Sequence, residues 1–432
     1  MNLAYVLGIV VLIIGIGLSV ALHELGHMIP AKCFGVKVPE YFIGFGPRLW
    51  SVKRGETEYG VKAIWLGGYV KLLGMVPPAK PGRTDKPDSM VADARAESLA
   101  ELGPDEQHRA FYRLSVPKKL IVMAGGILTN LTLGVILLAL ALGVVGQSAY
   151  TSTLASVSAC VPADVDAAGA CADADAPSPA AAAGLRVGDE IRSWNGTPTT
   201  TWAQVQQAIR ASGTAPAAVV VERDGQELTL TVTAVEVPRT VYAADGSVVT
   251  GADGEPVTEQ RPYVGIGPAL GTQRTPPSQI PAVVGTAVGQ TLRAIVTLPV
   301  GLYHAVAAGL GAEKRNPEGL VSLVGVGRIA GEVSSEGVGI PFSARVSSML
   351  SLLGSLNLAL FAFNLVPLLP LDGGHVAGAC WEGLRRAWAR WRGRPDPGPV
   401  DTARMLPVGQ GVFVALVVMA LVLIWVDIVA PF

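Results

Sequence analysis

Four stretches of the chain are apolar for long enough to cross a bilayer, at about 4–28, 120–146, 346–368 and 408–430. A helix rises 1.5 Å per residue, so about 20 apolar residues span a hydrocarbon core of about 30 Å. Between these stretches the pattern changes. Residues 35–74 alternate in places, as in Glu58-Tyr59-Gly60-Val61-Lys62-Ala63, which predicts short strands with turns at Arg54-Gly55 and Gly67-Gly68. Residues 76–110 are polar and proline-rich and are expected to form a loop. From about 150 to 270 the pattern predicts a small α+β domain. It has a hairpin over 219–232 turning at Asp224-Gly225, a helix over 202–211, and a loop insertion over 242–259.

Residues 280–312 are also apolar, but Arg293 and His304 interrupt them. A span there would turn the Arg-rich stretch beyond Pro370 to the outside. An interfacial helical segment on the outer side is therefore expected. The first apolar stretch has no basic leader and no small-residue cleavage site after His27, so it is expected to be a retained helix.

Composition agrees with several spans: half of the 432 residues are hydrophobic and 16% are charged, too few charges for an ordinary soluble enzyme. A net charge of −1 argues against a nucleic-acid partner. The placing of the charges sets the topology. There are 15 Lys or Arg residues in 32–119 and six Arg in 376–407, whereas 147–274 holds seven Arg, no Lys and twice as many acidic residues. Both basic segments are then expected in the cytoplasm and the acidic one outside. Cys160 and Cys171, eleven apart in the outside segment, either close a small disulfide loop or remain unpaired. Cys33 and Cys380 are expected as free thiols.

The candidate chemistry lies at the inner end of the first span, which reads His23-Glu24-Leu25-Gly26-His27. Positions i and i+4 share a helix face, so the two imidazoles can hold one metal while Glu24 reaches a water on it as general base. Ionisable groups inside a membrane span are costly, which favours a functional reading. A hydrolytic metal commonly has a third protein ligand. Asp372, in Asn364-Leu365-Val366-Pro367-Leu368-Leu369-Pro370-Leu371-Asp372-Gly373-Gly374-His375, comes to the same membrane depth in a four-span topology, and His375 is the alternative. Pro367 and Pro370 break the third span. Asn364 either satisfies a backbone group at that break or makes a substrate or oxyanion contact.

The first-span motif, the Asn364-to-Gly373 segment and the intervening outside domain resemble the site-2 protease family of intramembrane zinc metalloproteases. The stretches Tyr41-Phe42-Ile43-Gly44-Phe45-Gly46-Pro47 and Gly67-Gly68-Tyr69-Val70-Lys71 resemble its actinobacterial branch. Residues 178–196, with Gly184-Leu185, Gly188-Asp189 and Asn195-Gly196, are similar to a PDZ domain.

The resemblance implies a polytopic α-helical membrane protein with about four transmembrane helices, a membrane-associated β-hairpin region and an extracytoplasmic PDZ-like α+β domain. It implies one catalytic Zn2+ on His23, His27 and Asp372, with Glu24 as catalytic base. It also implies substrate contacts at Asn364, Pro367, Gly44, Gly46, Tyr69 and Val70. Its substrates would be single-span membrane proteins such as anti-sigma factors, cut in the lipid bilayer after a first extracytoplasmic cleavage. The PDZ-like domain would act as a size filter or bind the new carboxyl end.

The expected organisation is a first span with the metal motif (1–30), a cytoplasmic β-hairpin region and loop (31–117), a second span (118–146) and the PDZ-like domain (147–275). An interfacial helical region (276–345), a third span with the third ligand (346–375), a cytoplasmic Arg/Pro-rich loop (376–407) and a fourth span (408–432) follow. A membrane scaffold is a weaker reading because it has no need of a general base. A small-molecule hydrolase or transporter is weaker because a PDZ-like domain implies a polypeptide partner.

Overall fold

The computed structural model describes residues 3–79, 85–100, 102–161, 171, 175–243, 248–251, 254–316, 319–335 and 340–431. It divides into two compact units, one of residues 1–144, 275–336 and 345–432, the other of 145–274 and 337–344.

The first unit opens with α1 (Leu3–Cys33), a 31-residue helix whose exposed Val10, Val11, Ile14 and Leu18 suit lipid. Strands β1 (Glu40–Arg54) and β2 (Thr57–Lys71) follow. They turn at Gly55, where φ is 61°. β2 then doubles back near Gly67, so that Tyr41 of β1 faces both Tyr59 and Val70. The hydroxyl of Tyr41 donates to the Ala21 carbonyl at 2.7 Å, which fastens this sheet to α1. The region expected to be a loop at 76–110 holds a helix, α2 (Met90–Ala100), where it is described. Arg95, on α2, is clamped between Asp85 and Asp401 at 2.7 and 3.0 Å. Next, α3 (Val116–Ala139) continues as a wider turn to Val145, giving a 30-residue span.

The second unit begins at β3 (Gln147–Val157), followed by the short α4 (Pro179–Ala182), β4 (Glu190–Trp194), β5 (Thr197–Pro198) and α5 (Trp202–Ser212). The hairpin of β6 (Ala217–Arg223) and β7 (Gln226–Val232) turns on Asp224 and Gly225, both at positive φ, as a two-residue hairpin loop requires. β8 (Val235–Thr240) pairs with β9 (Thr258–Tyr263), and β10 (Ile266–Gln273) closes the unit. The sheet order is β10-β3-β4-β6-β7, with β5 beside β4. Alternate residues Val219 and Val221 of β6 point inward with Trp194, Ile191 and Val205 to form its core. The insertion expected at 242–259 lies partly outside the described residues. Cys160 and Cys171 are disulfide-bonded, with Cα atoms 5.8 Å apart.

The chain returns to the first unit with α6 (Ile280–Val296) and α7 (Leu298–Gly309), bent by 75° at Thr297. α8 (Leu323–Ser335) packs its Val326 and Ala330 against Leu12 of α1. α9 (Phe342–Asn364) is the third long apolar helix. Two expectations are corrected after it. Asp372 does not lie on that span: it opens a separate helix, α10 (Asp372–Trp391). The segment expected as an Arg/Pro-rich loop is therefore helical as far as Trp391. The chain ends in α11 (Leu406–Val429), preceded by a tight turn from Thr402. Among the described residues, four helices are long and apolar enough to cross a membrane, five if the bent α6–α7 pair is one span.

Candidate metal centre

The C-terminal turns of α1 bring His23 and His27 to one face, their rings 4.8 Å apart and nearly perpendicular. Asp372 reaches them from the first turn of α10. The three pairwise distances are 3.3 Å between the two Nε2 atoms and 3.2 Å from Asp372 Oδ2 to each of them. Ligands at about 2.0–2.1 Å from a tetrahedral ion lie about 3.3–3.4 Å from one another. This triangle therefore fits one ion, with a fourth position left for water or substrate. It is the one group of three or more potential ligand residues found among the described residues. His375 lies outside that group, beside a cleft it shares with Lys119 and Glu382.

The ring orientations support the fit. Nδ1 of His27 lies 2.8 Å from the Val122 carbonyl, which only accepts, so Nδ1 carries the proton and Nε2 presents its lone pair. His23 Nδ1 lies 3.0 Å from the side-chain amide of Asn130 on α3, while the buried Oδ1 of that amide has no partner among the described residues. The two ends of an amide are nearly isosteric. Turned over, Asn130 accepts from His23 Nδ1–H, the orphaned oxygen is satisfied, and His23 also presents a bare Nε2.

The room for this arrangement is made by glycine. Gly26 of α1 meets Gly125 of α3, where a Cβ on either would run into the other's carbonyl, and any side chain at Gly126 would enter the His27 ring. On α10, Gly374 lets the turn after α9 close over the Asp372 end, since a Cβ there would stand 2.6 Å from the Leu369 nitrogen.

Glu24 sits against the returning end of β2. The Val70 main chain hydrogen-bonds its carboxylate, and a Cβ on Gly68 would lie 3.4 Å from Glu24 Cγ. Of the other candidate contacts, Tyr69 engages its hydroxyl inside the sheet, donating to Glu40 at 2.5 Å and accepting from Lys62 at 3.0 Å. Gly44 and Gly46, at φ 89° and 82°, mark the irregular part of β1. Asn364 ends α9 and Pro367 is exposed in the turn beyond. Among the described residues, no side-chain hydrogen bond joins Asn364 to the triad.

Asn130, Gly125 and Gly126 also line the site, although they lie in no metal motif. Their signal was present: a polar amide and a glycine pair inside an apolar span.

The sequence model of Peptidase family M50 matches residues 11–393. The chain belongs to peptidase family M50. Within it, the chain is similar to zinc metalloprotease Rip1 of Mycobacterium tuberculosis, 35% identical over 436 residues covering 99% of this chain and 98% of the relative. The Rip1 of Mycolicibacterium smegmatis is 32% identical over 440 residues, 98% of each chain. Metalloprotease MmpA of Caulobacter vibrioides is 26% identical over 396 residues, 89% of this chain and 88% of the relative. This M50 peptidase is a multi-pass membrane protein by its four apolar helices.

Proposed function

We propose that the chain is an intramembrane zinc metalloprotease that cleaves peptide bonds within or near the transmembrane segments of single-span membrane proteins. The observation that carries this reading is the triangle of His23, His27 and Asp372 at the end of a helix long enough to span the bilayer. These three residues would hold the ion. When bound, zinc supplies a Lewis acid that lowers the pKa of water from 15.7 to about 7 and polarises a carbonyl.

The chain's own residues do the rest. Asn130 and the Val122 carbonyl keep both imidazoles turned toward the site. Glu24, adjacent to His23, takes a proton from the attacking water on its carboxylate and hands it to the leaving amine. A transmembrane helix hides its own backbone bonds, so the segment to be cut must first unwind. Residues 68–71, which lie beside Glu24, offer a strand to which unwound substrate adds, pairing groups that lipid cannot satisfy.

Charge distribution supports placing the metal site toward the cytoplasmic side and the PDZ-like unit outside. There the unit would filter substrates by size or hold a carboxyl end left by an earlier cut. The resemblance of the motifs to site-2 proteases is what supports anti-sigma factors as the substrate class. Replacing Glu24 with Gln tests the mechanism. Co-expressed single-span substrates should stay intact while zinc content is unchanged, and wild-type cleavage by the variant would overturn it.

A further inference from the structure

We propose that the second half of α10, with the loop after it, binds an anionic phospholipid. Trp381, Leu384, Trp388 and Trp391 are exposed at 57, 63, 53 and 75%. At 100° per residue they fall within about 80° of one another, so they form one stripe. The buried side of the helix, marked by Ala379, Glu382 and Ala389, lies elsewhere on the wheel. A cavity of about 530 Å³ opens along the stripe, walled by Trp381, Leu384, Trp388 and Pro395, with Arg385 and Arg394 among its lining.

The charges name the occupant. Among the described residues, no carboxylate pairs with Arg385, Arg390, Arg392 or Arg394, whereas the neighbouring Arg386 is already bound to Glu382 at 3.0 Å. Arg392 lies over the Trp388 ring at 4.4 Å, leaving its edge free to donate. An apolar cleft with guanidinium groups beside it matches an acyl chain below a phosphate. Tethering makes the ligand a lipid rather than a free phosphate. The helix starts at the metal site and runs between two membrane helices, α9 ending at Asn364 and α11 beginning at Leu406, so its second half stays tethered near the bilayer surface. Tryptophan is the side chain that best suits that depth.

Cys380, a free exposed thiol next to Trp381, is a native reporter position. The full chain with Cys33→Ser would be labelled at Cys380 with an environment-sensitive fluorophore. It would then be placed in nanodiscs of phosphatidylcholine alone or with about one third phosphatidylglycerol. With phosphatidylglycerol, aqueous iodide should quench the probe several-fold less and its emission should shift to the blue. The double variant Arg385→Gln, Arg394→Gln should lose that difference. Equal quenching in both lipids overturns the proposal, as does an undiminished difference in the double variant. Protection by inorganic phosphate in phosphatidylcholine discs overturns the lipid assignment.

Discussion

Lys119 of α3 and Glu382 of α10 form a buried ion pair, the lysine Nζ lying 2.8 and 3.0 Å from the two carboxylate oxygens. The pair locks the helix that begins with Asp372 to the helix that carries Asn130. Removing one partner of a buried pair leaves an uncompensated charge, which costs about 3–5 kcal/mol. Glu382→Ala should therefore lower the thermal midpoint and reduce zinc retained through purification. Lys119→Met combined with Glu382→Leu should recover much of the stability, because no charge is then stranded.

Asn130→Ala should weaken zinc binding without unfolding the chain. Partners that orient metal-binding imidazoles are worth roughly 10–100-fold in metal affinity. Competition with a graded chelator measures this directly. Affinity equal to wild type would show that His23 needs no orienting partner.

At Gly126 the expectation is steric. A methyl group there meets the His27 ring, which is itself 4% exposed and held by Val122. Gly126→Ala should displace the ring and lose bound zinc, while Gly285→Ala, in open space on α6, should leave metal content unchanged.

The second unit has its own pH signature. Burial alone would raise the Asp189 carboxyl, but the Arg223 guanidinium at 2.7 Å and the Arg186 main-chain N–H hold it below the ordinary aspartate range. A carboxyl depressed in the folded state stabilises that state above its unfolded pKa of about 4. The contribution is lost as pH falls through the lower folded value. Thermal unfolding of this unit, followed within the full chain, should fall in temperature as pH drops below about 4. Arg223→Met should weaken the unit at neutral pH and flatten that dependence.

The parts of the site legible in the sequence were those encoded by local spacing. His23, Glu24 and His27 lie within five residues, and Asp372 sits in a segment punctuated by Pro367, Pro370 and two glycines. What was not legible depends on contacts distant in sequence. The prolines announced a break after α9, but not that a helix starts at Asp372. α2 and α10 are not legible as helices because neither is a long apolar run, and an amphipathic helix, even one as regular as Leu384 to Trp391, leaves only a weak signal in a polar stretch. Asn130 reaches His23 across 107 residues, and Lys119 reaches Glu382 across 263, and neither separation leaves a local pattern.

His27 and Asp372 are 345 residues apart along the chain. A ribosome reaches the two imidazoles early and the carboxylate near the end, after α9 has been made. Until then the growing polypeptide has two of the candidate metal ligands where three converge in the finished fold. A stalled or clipped product lacking α10 would sit in the membrane among other proteins without the means to cut them. Splitting the candidate ligands across the chain thus makes synthesis as far as α10 a condition of activity.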